Sequence, residues 1–201
     1  MWLDLSFEWK MCFSLAWEAF CKGCTPVGAI IVDKNNRVVA KNRNGDGTIF
    51  HKRISHAEMN VLSNISSFTN IEDLVLYTSL EPCVMCFSAI YVQKIKRLCY
   101  GTRDPHAGGT FLYKCNPYFS IRHMDIIPLQ NDEYSFVNAI LLILHEMQGR
   151  EANDLIEYLN AWNEINILFV NTAKKIYSSM NQFPSNSNVG EVYNYIASYN
   201  Q

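Results

Sequence analysis

The sequence predicts an α/β layered domain followed by a helical C-terminal extension, and three observations carry that prediction. From residue 4 to residue 149, short apolar runs rich in Val, Ile and Leu alternate with stretches of helical period. Gly149 closes the last of those helices. Beyond it the pattern changes to one long stripe of apolar residues stepping by three or four. The division that follows is a first unit over 1–149 and a helical extension over 150–201, with a polar linker near 181–190.

Leu5, Trp9, Cys12, Phe13, Ala16 and Phe20 recur at helical spacing, so 4–22 reads as an amphipathic helix ended by Gly23. Val27 to Val32 and Val38 to Lys41 are strands joined by the hairpin signal Asp33-Lys34-Asn35-Asn36. After a polar loop from Asn42 to Ser55, a short helix is expected from His56 to about Ser63. Leu74 to Thr78 is the next strand, and Val84 to Val92 a helix with Pro82 as its first residue. A strand at Leu98 to Gly101, a turn-rich loop at Arg103 to Gly109 and a strand at Arg122 to Ile127 precede a helix from Tyr134 to Gln148. The stripe from Leu155 to Met180 predicts one helix of roughly 40 Å, at ~1.5 Å per residue, buried on the domain or against another copy.

The 201 residues are 49% hydrophobic and 18% charged, which fits a globular chain and not a disordered one. No basic segment precedes an apolar core at the start, and no apolar run approaches the ~20 residues of a membrane span. A cytoplasmic, membrane-free protein is therefore expected. The formal charge of −2 argues against a strongly basic nucleic-acid binder. Lys41, Arg43, Lys52 and Arg53 nevertheless cluster, and read either as a solvated loop or as a rim facing phosphates. Among the 7 Cys, Cys12, Cys99 and Cys115 have no neighbour at metal-ligand spacing and read as packing or bystander residues. His51, His123 and His145 read as structural or surface residues.

Two motifs carry chemistry: His56-Ala57-Glu58 and Pro82-Cys83-Val84-Met85-Cys86. Each has a bland reading alone. Ser55 with Glu58 fits a capping box, and the two Cys fit buried apolar positions on one helix face. Together they fit a metal site. Cys83 and Cys86 at i and i+3 share a face in the first helical turn, where the positive helix end favours thiolates. His56 supplies a third ligand and leaves a fourth tetrahedral position for water, as a catalytic Zn2+ site requires. Glu58 then serves as proton carrier. His56 and Glu58 can act together only at a helix start, where Ser55 as cap would put them. A structural zinc site shared with Cys21-Lys22-Gly23-Cys24 would need a separation of 58 residues, against ~15–20 in a zinc ribbon, and leaves His56 and Glu58 unused. A redox pair at Cys21 and Cys24 would sit at the wrong end of a helix, so both read as loop residues.

The H-x-E and P-C-x-x-C pair matches the signature of the zinc nucleobase deaminases. Pro26-Val27-Gly28-Ala29, His56-Ala57-Glu58-Met59, Leu80-Glu81-Pro82-Cys83-Val84-Met85-Cys86 and Tyr100-Gly101-Thr102-Arg103-Asp104 extend the match. Over roughly residues 5–148 the chain resembles the cytidine deaminase-like superfamily, nearest to bacterial tRNA adenosine deaminase with bacterial guanine deaminase beside it. The resemblance implies a three-layer α/β/α sandwich with a five-stranded mixed sheet, and a homodimer. It implies Asn42 and Ala57 as contacts to the base, Asp104 as an acid near an RNA backbone, and hydrolytic deamination, foremost of adenosine to inosine in tRNA. A free purine such as guanine and a cytosine-type base are the other substrates it allows. The acidic extension and the Pro105-His106-Ala107-Gly108-Gly109 loop depart from the tRNA enzymes, and His106 is either a site residue or a surface one. Inactive partner subunits of this fold are expected to lack the Glu, and Glu58 is present.

Overall fold

The computed structural model describes residues 1–45, 53–65, 70–180, 183 and 187–200. His51, Lys52 and much of the linker expected at 181–190 lie outside the described residues. Helix α1 (Phe7–Cys21) leads into the hairpin β1 (Gly28–Val32) and β2 (Val38–Arg43). Helix α2 (Ala57–Ser63), β3 (Val75–Leu80), α3 (Val84–Val92) and β4 (Arg97–Thr102) follow. A short α4 (Leu112–Cys115) precedes β5 (Asp125–Pro128) and α5 (Asp132–Gly149). The sheet order is β2-β1-β3-β4-β5; β1 is antiparallel to both neighbours, and β3, β4 and β5 run parallel. This is the five-stranded mixed sheet the sequence led us to expect. Helices α1 and α5 contact the sheet on one face, and α2 contacts β1, β2 and α3 on the other.

Burial follows the apolar pattern. All five residues of β1 are buried, as a strand covered on both faces requires. In α5 every residue from Phe136 to Leu144 is buried, so this helix is covered on all sides. The sheet covers one side; the helices after Gly149 cover the other.

Those helices correct the sequence reading in two places. The stripe expected as one long helix breaks into α6 (Ala152–Ile165) and α7 (Ile167–Ser178). Asn166 takes an extended backbone between them, and its side-chain oxygen accepts from the Leu168 N–H at 2.9 Å. An Asn here satisfies a free helix-end donor, which outweighs continuation of the helix. The apolar stripe then folds back in cis: α7 packs on α5 and α6. The second correction is α8 (Val189–Ala197), whose first turn contains Gly190 where a linker was expected. A Cβ at Gly190 would stand 2.6 Å from the Trp2 ring, so the glycine lets α8 close on the N-terminus. No helix among the described residues is long and apolar enough to cross a membrane.

Candidate metal centre and active site

The N-terminus of α3 positions both sulfurs. Pro82 is not the first helical residue, as expected, but lies before the cap; Cys83 is the N-cap, with φ −64° and ψ 169°. Cys86 is then the third helical residue, in reach of the same point in space. His56 is itself the N-cap of α2, and Ser55 makes no cap bond. Instead the buried Ser55 hydroxyl lies 3.3 Å from the Asn60 side-chain oxygen, so the capping box does not form. The outcome for His56 is the one the motif needs: its ring leaves the helix end, and Nδ1 stands 3.6 Å from Cys83 Sγ and 3.5 Å from Cys86 Sγ.

One ligand atom from each of the three lies within 4.8 Å of the others, the sole such group among the described residues. Two sulfurs and an imidazole are a donor set suited to Zn2+. The electrostatics agree. Hydrogen bonds from Cys86 and His56 hold the Cys83 thiol down at about 4, against an opposing push from burial. The Cys83 sulfur and burial drive the Cys86 thiol well up, and the Cys83 contact raises His56. Proton sharing of this kind marks three groups crowded round one point, where a cation relieves the crowding.

Glu58 sits in the first turn of α2, 3% exposed, and its Oε1 accepts from the Thr78 hydroxyl on β3 at 3.0 Å. Burial raises its carboxyl above the ordinary range. His56, Glu58 and Cys83 line a common cavity of about 210 Å³.

Residues 5–102 match the family model described as the cytidine and deoxycytidylate deaminase zinc-binding region. The tRNA-specific adenosine deaminase 2 of Xenopus tropicalis is 30% identical over 136 residues, covering 63% of this chain and 75% of that protein. The chain belongs to the cytidine and deoxycytidylate deaminase family. The tRNA-specific adenosine deaminase of Rickettsia felis is 38% identical over 93 residues, 45% of this chain. The chain spans 65% of that protein's length, somewhat under two thirds. A solved tRNA:A34 deaminase, from work on A-to-I editing at the wobble position of transfer RNA, superposes with a TM-score of 0.51 at 26% identity. That match covers 61% of this chain and 96% of the other, so much of this deaminase-family chain has no counterpart there. The family region ends at residue 102, so about half of the chain lies beyond it.

The base contacts implied by resemblance distribute unevenly. Asn42 does not line the cavity: it pairs with Ala29 inside the sheet, and its Oδ1 accepts from the Arg43 N–H at 2.8 Å. Asn44, one residue past the end of β2, lines the cavity instead and accepts from the Ala57 N–H at 2.7 Å. The backbone N–H of Ala57 is thus engaged by a side chain. Strand alternation gives Asn42 and Asn44 the same side, and only the strand end separates them. Asp104 lines the cavity, accepts from the His106 and Ala107 N–H groups at 2.9 and 3.1 Å, and is raised by burial. Its carboxylate therefore holds its own loop. Glu81, not assigned from the sequence, braces the same loop: it accepts from the Asp104 N–H at 3.2 Å and from the Thr110 hydroxyl. Gly109 fits only because it has no side chain, since a Cβ there would meet the Val84 nitrogen at 2.5 Å.

Of the basic cluster, Lys41, Arg43 and Arg53 are not among the residues lining the cavity. Arg43 is 3% exposed and pairs with Glu18 at 3.2 Å, whereas Lys41 and Arg53 are exposed. Cys21 ends α1 and Cys24 follows it in a turn, apart from the metal-ligand group. His106 lines the cavity, and His123 lies on the surface against Asp125.

Proposed function

We propose that this chain is a zinc-dependent hydrolase that removes the exocyclic amino group of a nucleobase. The observation that carries the reading is the meeting of His56, Cys83 and Glu58 at one cavity, with Cys86 against the same His ring. Zn2+ held by His56, Cys83 and Cys86 would supply a Lewis acid with one open position, lowering the pKa of water towards ~7. Glu58 takes one proton from the attacking water and delivers it to the ring nitrogen, then carries the second proton from the newly added hydroxyl to the departing amine. A carbon–oxygen bond forms at the amino-bearing carbon, the carbon–nitrogen bond breaks, and ammonia leaves. Thr78 fixes one carboxylate oxygen, and the raised pKa of Glu58 brings its proton affinity nearer to neutral pH.

Kinship supports adenosine in tRNA as substrate, because the relatives that share the motif carry tRNA-specific names. A second reading, a free base, is favoured by one observation: residues after the family region line the cavity. Ammonia release measured over tRNA, adenosine, adenine, guanine, cytosine and dCMP tests both. Release from at least one is expected, and none from any would remove the enzyme reading. The homodimer is part of the proposal: Val84 and Val92, exposed eight residues apart on α3, offer an apolar face, and light scattering at the mass of two chains is the expected result.

A further inference from the structure

Part of the cavity wall comes from side chains that the deamination chemistry does not use. Leu142 and Glu146 near the end of α5, Arg150 at its cap and Tyr158 of α6 line the same 210 Å³ hollow as His56, Glu58 and Cys83. Tyr158 is 6% exposed. Its ring meets the His106 ring edge-on at 5.4 Å, and the Arg150 guanidinium lies 4.6 Å over its face. Arg150 is in turn held by Glu146, Nε to Oε2, at 2.6 Å. On its other side Tyr158 packs on Trp162 at 6.3 Å, and Trp162 on Phe169 of α7 at 6.0 Å. The ring is fixed from both sides by elements that reach back to α5.

We infer that α6, through Tyr158, roofs the active site and restricts it to a free nucleobase, excluding a base still joined to a polynucleotide. The inference rests on the deaminase reading above and names its substrate class. Three considerations support it. A base presented by RNA brings a ribose with a phosphate on either side, so its pocket must open widely enough for the backbone to enter and leave. Here the wall of the hollow carries a buried Tyr. Second, within the hollow the wall carries Glu81, Asp104 and Glu146, and the cation Arg150 is already paired, so a phosphate drawn into it would meet carboxylates, while the cations Arg103 and Lys114 line only the wider cleft outside. Third, Tyr158 lies beyond the family region at 5–102, and the solved tRNA:A34 deaminase, matched over 96% of its length, takes only 61% of this chain, so this chain carries additional structure from which a roof can be built. The Tyr158 and His106 rings offer a planar base the aromatic surface that a polynucleotide site would take from stacked neighbours. The hollow meets a wider cleft of about 960 Å³ at Glu81, Asp104 and His106, which gives a small molecule an approach.

Calorimetry on the full zinc-loaded chain tests the inference, in a Glu58→Ala background that stops turnover. The ligands are adenine, guanine, cytosine and an RNA hairpin carrying an unpaired adenosine or cytidine. At least one free base should bind, and the hairpin at least about 100-fold more weakly. Tyr158→Ala should weaken the free base by about tenfold or more, and Tyr158→Phe, which keeps the ring, should recover most of that loss. Melting curves check that each variant is folded, with Tyr158→Leu used where Tyr158→Ala is not. A hairpin bound as tightly as the base, unchanged affinity in the folded Tyr158→Ala or Tyr158→Leu chain, or no binding of any base would each overturn the inference. Binding in the predicted order without ammonia release by the chain with Glu58 intact would uphold the roof and count against the deaminase reading.

Discussion

Two regions meet at the cavity and obey different rules. The metal corner is built from two helix starts, α2 and α3, and each ligand is set by its place in the first turn of its helix. The roof is built from α6 and α7, and Tyr158, the one residue of these helices that lines the cavity among the described residues, is held by the rings of His106 and Trp162 and by Arg150 at the end of α5, with Phe169 of α7 behind Trp162. The corner depends on local chain geometry; the roof depends on how distant segments pack. Chemistry and access can therefore be changed separately, and substitutions should divide along that line.

The largest effect is expected in the corner. Cys86→Ala removes one of three ligands and should lower zinc from about one per chain to a trace, with ammonia release lost alongside it. Metal analysis checks this, and full occupancy in Cys83→Ala/Cys86→Ala would move the site elsewhere. In the roof, Trp162→Ala deletes a ring that is 1% exposed and should cost about 3–5 kcal/mol, read from urea unfolding. Zinc content in the folded fraction should not change, and a parallel loss of metal would break the proposed separation.

A smaller and opposite effect is expected at Glu58. Burial raises its carboxyl in the folded chain, so folding favours the protonated form, and stability falls as pH rises from the unfolded carboxyl value through the folded one. Glu58→Gln removes that penalty. With both proteins metal-free, the variant should melt higher than the native chain at neutral pH, with the difference vanishing below the ordinary carboxylate range. Equal melting temperatures at every pH would mean that the carboxylate is compensated by partners beyond Thr78.

How much was legible beforehand follows the same division. The order of strands and helices and the His56, Glu58, Cys83 and Cys86 group could be read because period, turn residues and motif spacing are local signals, whereas the five-stranded mixed sheet came from the family resemblance. Ser55 is not the cap expected of it because it finds a partner in Asn60, a contact that spacing does not reveal. Asn42 came from the family resemblance alone, and nothing in the sequence pattern pointed to Asn44, which lies one residue beyond the strand end and lines the cavity. The helix break at Asn166 lay inside an unbroken apolar stripe, where the residue's preference for a cap was the one available sign. Tyr158 had no local signal at all. A sign of the roof did exist in α5, whose run from Phe136 to Leu144 is apolar on every side except at Asn138 and so demands a second covering layer.

The central claim is that the corner holds zinc while Glu58 moves the proton, and Glu58→Ala separates those two roles in one preparation. Zinc per chain and ammonia release should be measured together, on whichever nucleobase the native chain deaminates fastest. The account predicts about one zinc in both proteins and a rate at least ~10²-fold lower in the variant. Near-native turnover by Glu58→Ala with its zinc in place would contradict it.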